Sequence, residues 1–420
     1  MLKRLKKFYE KKNFDFSSGY VDPFKFHRTC YLFLKAFQVW DEPIPKWTYF
    51  LKTFILFCGL SALVILTLAI YHGADTRDIA YITEAGTYEL IMVYKLLIMS
   101  CTKINLSDYH SLLHIIRDDF QYVCDKGSKY RDRFFQNQLK IWKVCLLSIT
   151  FMGSIGLGMM IFSIISLIWY KTLHDSESSE KRPLPFPFWA FSMDFGKTPL
   201  YETCLIYSNM CVVTYVYNFL FMTQIQILWI GEIASKADLV IWSIEDLMKG
   251  IRPPINEQEK DYFSALIKYR MQEIIKLHHS MIELMTSYAR VYTKLLMFEQ
   301  KVCAPVVCLS AYCATEKFEE GEFNAILMLL CIATVISVFI PSYLCNFLSL
   351  KVSSICYACW NIPFWNATPA IRPYLVLIMQ RSLRPLPIKA SGFEMVSIQT
   401  FSNKMASAYS SYNMLRQAFK

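Results

Sequence analysis

The sequence predicts an all-α membrane protein with seven transmembrane helices. Three observations carry this. Of 420 residues, 54% are hydrophobic, 16% aromatic and only 19% charged, with a mean hydropathy of +0.28; a soluble chain of this length would not be so apolar. The apolar residues also come in runs of about twenty, the length a membrane helix needs, not in the alternating ten-residue segments of a membrane barrel. Finally, the 13 glycines leave long tracts of Leu, Ile, Phe and Met unbroken.

Taken in order, the apolar stretches are Thr48 to Tyr71, Ile79 to Cys101, Ile141 to Tyr170, Tyr201 to Ile230, Tyr292 to Ala314, Phe323 to Leu350 and a weaker one from Glu394 to Gln417. The fifth contains Lys294, Glu299 and Lys301, and the seventh Lys404 and Arg416. Such charges must face protein or water, or reach the interface along their own stems, if both segments span.

The basic residues orient the chain. About thirty Lys and Arg lie before the first stretch and between the second and third, fourth and fifth, and sixth and seventh, whereas the alternate segments hold about eight, counting Arg416 at the end of the seventh stretch. Positive charge collects on the cytoplasmic side, so the N-terminus is expected inside and the C-terminus outside, opposite to a G-protein-coupled receptor. The basic start, MLKRLKKFYEKKNFDF, lacks the apolar core and small-residue cleavage site of a signal peptide. The expected organisation is a cytoplasmic segment (1–47), helices 1–4 (48–230), a cytoplasmic helical anchor (231–291), helices 5 and 6 (292–350), a cytoplasmic linker with an inner helix (351–393) and a last helix (394–420).

Within the anchor, Phe263, Ile267, Met271, Ile274 and Ile275 recur at helical spacing among charges. They suit helices that project into the cytosol and pack against neighbouring subunits, or that cover their own subunit. The connection from Lys171 to Leu200, with RPLPFPFWAF at its centre, has the prolines and aromatics of an ordered lid rather than a loose linker. The sequons at Asn105 and Asn366 fall on the cytoplasmic side and should be silent.

Chemistry-bearing motifs are sparse. Cys356 and Cys359 form a CxxC without a second ligand pair, and most other cysteines sit in apolar stretches as small hydrophobes. His110 and His114 stand four apart before Asp118 and Asp119, but no third ligand is evident, and a solvated helix face is the better reading. Asp132-Arg133-Phe134 and Cys359-Trp360-Asn361-Ile362-Pro363 only superficially match receptor boxes. No phosphate-binding loop, nucleophile elbow or dinucleotide fingerprint occurs, so neither an enzyme nor a cofactor, metal site or nucleic-acid partner is expected.

The last helix is different. Gln399, Asn403, Ser407, Ser410, Met414 and Gln417 fall within an arc of roughly 80°, a polar stripe interrupted by one methionine. It cannot face lipid, where each polar group would lack a partner. It is either buried among helices or lines a pore, in which hydroxyl and amide groups replace part of an ion's hydration and the methionine supplies a hydrophobic constriction. One helix per chain requires several subunits around an axis.

The C-terminal third, from Trp360 through Leu375–Arg384 with Pro385-Leu386, then Ala390-Ser391-Gly392-Phe393, to AYSSYNMLRQ at Ala408–Gln417, resembles the end of insect odorant receptors. The resemblance implies a ligand-specific subunit of a heterotetrameric, odorant-gated, non-selective cation channel. Its partners would be odorant co-receptor subunits, a small volatile organic ligand, monovalent and divalent cations and membrane lipid. Its place would be the plasma membrane of olfactory neuron dendrites. Ser407, Ser410, Met414, Gln417 and Ala418 would line the pore; Met414 and Ala418 stand where branched aliphatics are usual, which implies a smaller contribution to the closed gate.

A volatile ligand calls for an enclosed aromatic and methionine pocket with one or two polar groups. Residues suited to it in the outer halves of spans 2, 3, 4 and 6 are Tyr81, Thr87, Tyr88, Ile155, Gly158, Met159, Phe162, Tyr207, Met210, Thr214 and Met328, with Gly158 making space and Phe162 and Tyr88 forming walls. Helix packing is the alternative at each position. A seven-helix metabotropic receptor of reverse topology and a gustatory-type homomeric channel are the competing classes.

Overall fold

The computed structural model describes residues 20–39, 46–173, 184–189, 193, 195, 197–250, 257–319, 321, 324–363, 371–383, 389–390 and 394–418. Its elements are α1 (Pro23–Phe26), α2 (Arg28–Ala36), α3 (Lys46–Thr76), α4 (Ile79–Ile104), α5 (Leu106–Asp125), α6 (Ser128–Leu173), α7 (Leu200–Glu245), α8 (Glu257–Glu319), α9 (Ala325–Asn361) and α10 (Arg372–Leu383). A two-residue antiparallel pair, β1 (Lys389–Ala390) and β2 (Glu394–Met395), precedes α11 (Ile398–Ala418). Among the described residues every secondary-structure element apart from that pair is a helix. The pair flanks the expected turn at 390–393, whose last three residues lie outside those described, as does Asn366.

By length and composition α3, α6, α7, α8 and α9 can each cross a membrane, and α4 qualifies when joined to α5. α4 and α5 meet at 68°. The break falls at Asn105, which ends α4, begins α5, and donates from its side chain to the Cys101 carbonyl. α11 is too polar to qualify on composition, for the reason the stripe gives. It starts at Ile398, four residues later than expected, because 394–395 are spent on strand pairing.

Exposed apolar side chains distinguish the membrane portion. Phe57 and Val64 on α3, Leu147, Leu157 and Ile164 on α6, and Phe347 and Leu350 on α9 are all largely exposed. A surface this apolar is stable against lipid, not water: this is a multi-pass membrane protein.

The core divides in two. The larger part is built where α7 and α8 run on far beyond a membrane's thickness; at 1.5 Å per residue a 46-residue helix such as α7 is about 70 Å long. The anchor is therefore no separate set of helices but a continuation of α7 and α8. Trp229, fully buried, has edge contacts with Tyr109, Tyr288 and Tyr292 and donates to the Leu284 carbonyl at 3.2 Å. α1, α2 and α5 seal this core with Phe26, Leu34 and Phe120. Phe263, Ile267, Met271 and Ile274 are buried within their own chain, so the choice between covering a neighbour and covering self falls to self for these four.

A polar chain runs through the same core. His27 Nε2 and Gln138 Oε1 are 2.8 Å apart, Gln138 donates to Glu232 at 3.0 Å, and Lys236 pairs with Asp119 at 3.1 Å. Burial pushes the Asp119 carboxyl up to about 6, with the Lys236 ammonium pulling the other way.

The smaller core fills the opposite end, between α3, α4, α6, α7, α8 and α9. It is the one that positions the candidate site.

Candidate functional site

The centre of the smaller core is Tyr88 on α4. Helical spacing places Tyr88, Ile91, Met92 and Lys95 on one face of α4, and all four are buried. Facing them are Cys58, Ala62 and Leu66 of α3, Met159 of α6, and Cys211 and Val212 of α7. Small residues on α3 bring the two helices together: a Cβ on Gly59 would stand 2.9 Å from Leu96 Cδ2 and 3.7 Å from the Lys95 Cε.

Described residues of the 171–200 connection pack over this end. Phe186 is buried against Tyr88, with ring centroids 4.8 Å apart. Phe188 packs on Tyr207, and Trp189 stacks on His72 at 4.7 Å. The described part of the proline-rich loop thus places aromatics over the bundle; 174–183, 190–192, 194 and 196 of the expected lid lie outside the described residues.

The residues singled out from sequence divide into three groups. Tyr88 and Met159 belong to the buried cluster, and Ile155 and Tyr207 pack against it. Thr87 is buried and donates to the Thr83 carbonyl, while Thr214 is buried beside Lys95 and accepts from its Nζ at 2.7 Å. Tyr81 lies at the rim, edge-on to His72, and Gly158 lets α6 approach Leu329 of α9, which a Cβ would meet at 3.3 Å. Phe162, Met210 and Met328 do not join them. They are 37%, 45% and 47% exposed and lie outside the buried cluster; Met210 and Met328 stand about 100° round the helix from the buried Cys211 and Leu327, whereas Phe162, about 60° from Met159, sits at the exposed edge of that face. Beside Tyr88 stands Phe186 of the loop.

Polar groups are few and specific. Tyr207 Oη and Ser61 Oγ share a 2.6 Å hydrogen bond. The Tyr88 hydroxyl is buried without a hydrogen-bond partner. Lys95 is fully buried. Sequence reading missed Lys95, Ser61 and the contribution of α3; the signal for Lys95 was present, since an ionisable residue within an apolar span marks a functional position by default.

The second candidate site is α11. Gln399, Asn403, Ser407, Ser410, Met414, Gln417 and Ala418 are all exposed, and Ala408, on the opposite side, is buried. Phe401 packs edge-on to Phe339 of α9, Tyr412 approaches Thr315 of α8, and Arg416 pairs with Glu319. The helix therefore lies along its own bundle by one face and presents the polar stripe outward.

Among the described residues no group of three His, Cys, Asp or Glu could hold a metal ion. His114 instead pairs with Asp118 at 3.2 Å on the exposed surface, and Cys356 and Cys359 are buried.

Comparison with known proteins agrees with this architecture. The insect olfactory receptor OR5 from Machilis hrabei in complex with eugenol superimposes with a TM-score of 0.75 over 94% of this chain and 98% of that one, at 13% identity. The same receptor described without eugenol gives 0.74 at 14% identity, again over 94% and 98%. At such identities the likeness concerns the fold. Among curated Drosophila melanogaster proteins, Odorant receptor 85f is 22% identical over 55% of this chain and 54% of its own length, and Odorant receptor 49a 23% over 45% and 46%. The chain thus spans about half the length of the curated relatives it matches. The family model described as 7tm Odorant receptor matches residues 82–409, from the buried face of α4 to the polar stripe of α11. This chain belongs to the 7tm odorant receptor family.

Proposed function

We propose that the chain is the odorant-binding subunit of a heteromeric, odorant-gated, non-selective cation channel, assembled with odorant co-receptor subunits in the plasma membrane of olfactory neurons. The observation that carries this is the contrast between α11 and the other long helices. α3, α6 and α9 turn apolar side chains outward, whereas α11 turns outward Ser407, Ser410 and Gln417. Ser410 bonds back to the Ala406 carbonyl and Gln399 to Asn403, yet a polar stripe turned outward in a membrane is stable only against water or other polar stripes. Several copies of α11 around an axis satisfy it and enclose an aqueous path, with Met414 as its apolar constriction.

On this reading the anchor core and the basic connections are cytoplasmic, and the Tyr88 cluster lies in the outer half of the membrane. The ligand is small and largely apolar, held among Tyr88, Ile155, Met159, Tyr207 and Thr214. It acts by preferring an arrangement of the outer bundle that moves α11, and its effect is limited by its differential affinity for the two arrangements. Reversible labelling tests the pore assignment. Ser407→Cys, Ser410→Cys, Met414→Cys and Gln417→Cys should each make the odorant-evoked current sensitive to a charged thiol reagent applied from outside, whereas Ala408→Cys should not. Equal sensitivity on both faces of α11 would contradict it.

A further inference from the structure

Lys95 is fully buried at the inner end of the Tyr88 cluster. Its Nζ makes one hydrogen bond, to Thr214 Oγ1 at 2.7 Å, and that hydroxyl's own hydrogen is directed to the Cys211 carbonyl at 3.0 Å. The carboxylates on α4 itself and on the facing stretch of α8 do not pair with it. Glu84 pairs with Lys317 at 2.7 Å, Glu89 accepts from Thr67 at 2.9 Å, and Glu299 accepts from Tyr94. A buried lysine in this setting has donors to spare and, among the described residues, no paired carboxylate, which is costly unless something supplies one. Seven residues earlier on the same face, ~10 Å along the axis, the Tyr88 hydroxyl is also buried and without a partner. Between the two lie Ile91 and Met92, opposite Cys58 and Cys211.

We propose that this site takes an acidic odorant: a carboxylate paired with Lys95 and a medium-length aliphatic tail, about six to eight carbons for a span of ~10 Å, running along Ile91 and Met92 toward Tyr88. The inference rests on the reading of the outer bundle as the odorant pocket. Lys95 supplies the charge, Thr214 fixes the direction of the ammonium, and the buried thiols of Cys58 and Cys211 belong to the cluster beside it. An ester or alcohol of the same length has the tail but not the charge, so recognition of the head group decides between them.

The experiment measures concentration–response curves for octanoic acid, methyl octanoate and octan-1-ol in cells expressing this chain with a co-receptor. A synthetic agonist of the co-receptor subunit reports assembly independently of this subunit's ligand. In the native complex octanoic acid should act at a concentration about tenfold or more below that of ester or alcohol, the discrimination expected of one charge-paired contact. Lys95→Met, similar in length and uncharged, should shift the acid by at least about tenfold and the alcohol by less than about threefold, with the co-receptor agonist current retained. A native complex that responds to the co-receptor agonist but shows no preference for the acid overturns the proposal without any variant. So does a Lys95→Met shift that is equal for acid and alcohol. Loss of every current in the native complex, the co-receptor agonist's included, would instead fault the channel reading on which the proposal stands.

Discussion

Lys317 Nζ lies 2.7 Å from Glu84 Oε2, so the last turns of α8 are joined to the first turns of α4. Two residues on, Glu319 pairs with Arg416 of α11. One helix end is thus tied both to the bundle that holds the Tyr88 cluster and to the polar helix, which gives movement in the first a direct route to the second.

The Glu84 carboxylate is almost buried and its lysine partner mostly so. Removing the lysine charge leaves a carboxylate poorly solvated, at a cost of about 1–2 kcal/mol for a pair between the exposed and buried extremes. Lys317→Met should therefore raise the half-maximal odorant concentration by about threefold to tenfold with surface expression preserved. The charge-swapped pair Glu84→Lys with Lys317→Glu should recover most of the loss. Equal impairment in the single and the swapped protein would show that the contact is not the link.

The polar stripe predicts ion selectivity. Gln417 is exposed near the end of α11. A carboxylate at that position in every copy of this subunit would concentrate divalent cations at the pore mouth. Gln417→Glu should move the reversal potential in mixed monovalent and divalent solutions toward greater divalent permeability. Identical reversal potentials would remove Gln417 from the pore.

The anchor core predicts a sharp asymmetry between single and double substitutions. Lys236 and Asp119 are both nearly inaccessible and 3.1 Å apart. Lys236→Met strands the Asp119 carboxylate and should cost about 3–5 kcal/mol, whereas Lys236→Met combined with Asp119→Leu replaces the pair by apolar bulk and should cost far less. Thermal unfolding of the detergent-solubilised protein reads the difference. Additive losses would show that the two charges do not depend on each other.

Acid should weaken the same region through His278. Burial holds the imidazole down to about 4, with the Arg381 and His279 charges acting in the same direction. Its ordinary value is 6.5, so between the two the unfolded chain binds the proton and the folded one does not. Stability from this group is intact above about 6.5 and falls as pH drops toward about 4, by up to about 3 kcal/mol. Asp119 works with opposite sign over an overlapping window, since its carboxyl is raised in the fold. The test is therefore the difference between the native protein and His278→Gln. The native protein should lose more stability between pH 7 and pH 5, and parallel curves would refute the assignment.

Helices with long, unbroken apolar runs were legible in the sequence, because a span needs only length and hydropathy. The polar stripe of α11 was legible because its period is helical and its residue types are wrong for lipid. Three features were not. The continuity of α7 and α8 into the anchor was hidden, since Glu232 and Lys236 read as the start of a solvated segment when in fact they are buried and partnered with Gln138 and Asp119. The outward placement of Phe162, Met210 and Met328 depends on the rotation of each helix about its axis, which residue type alone does not fix in a membrane, where both faces are apolar. Phe186 comes from a loop whose fold over the bundle is a tertiary event.

The most direct test of the account is whole-cell current from cells expressing this chain alone, and with an odorant co-receptor, challenged with volatile acids, esters, alcohols, aldehydes and terpenoids while G-protein signalling is blocked. A fast, odorant-dependent cation current should appear in the co-expressing cells and none from the chain alone. An odorant response that vanishes when G-protein signalling is blocked, or that needs no partner subunit, would contradict it.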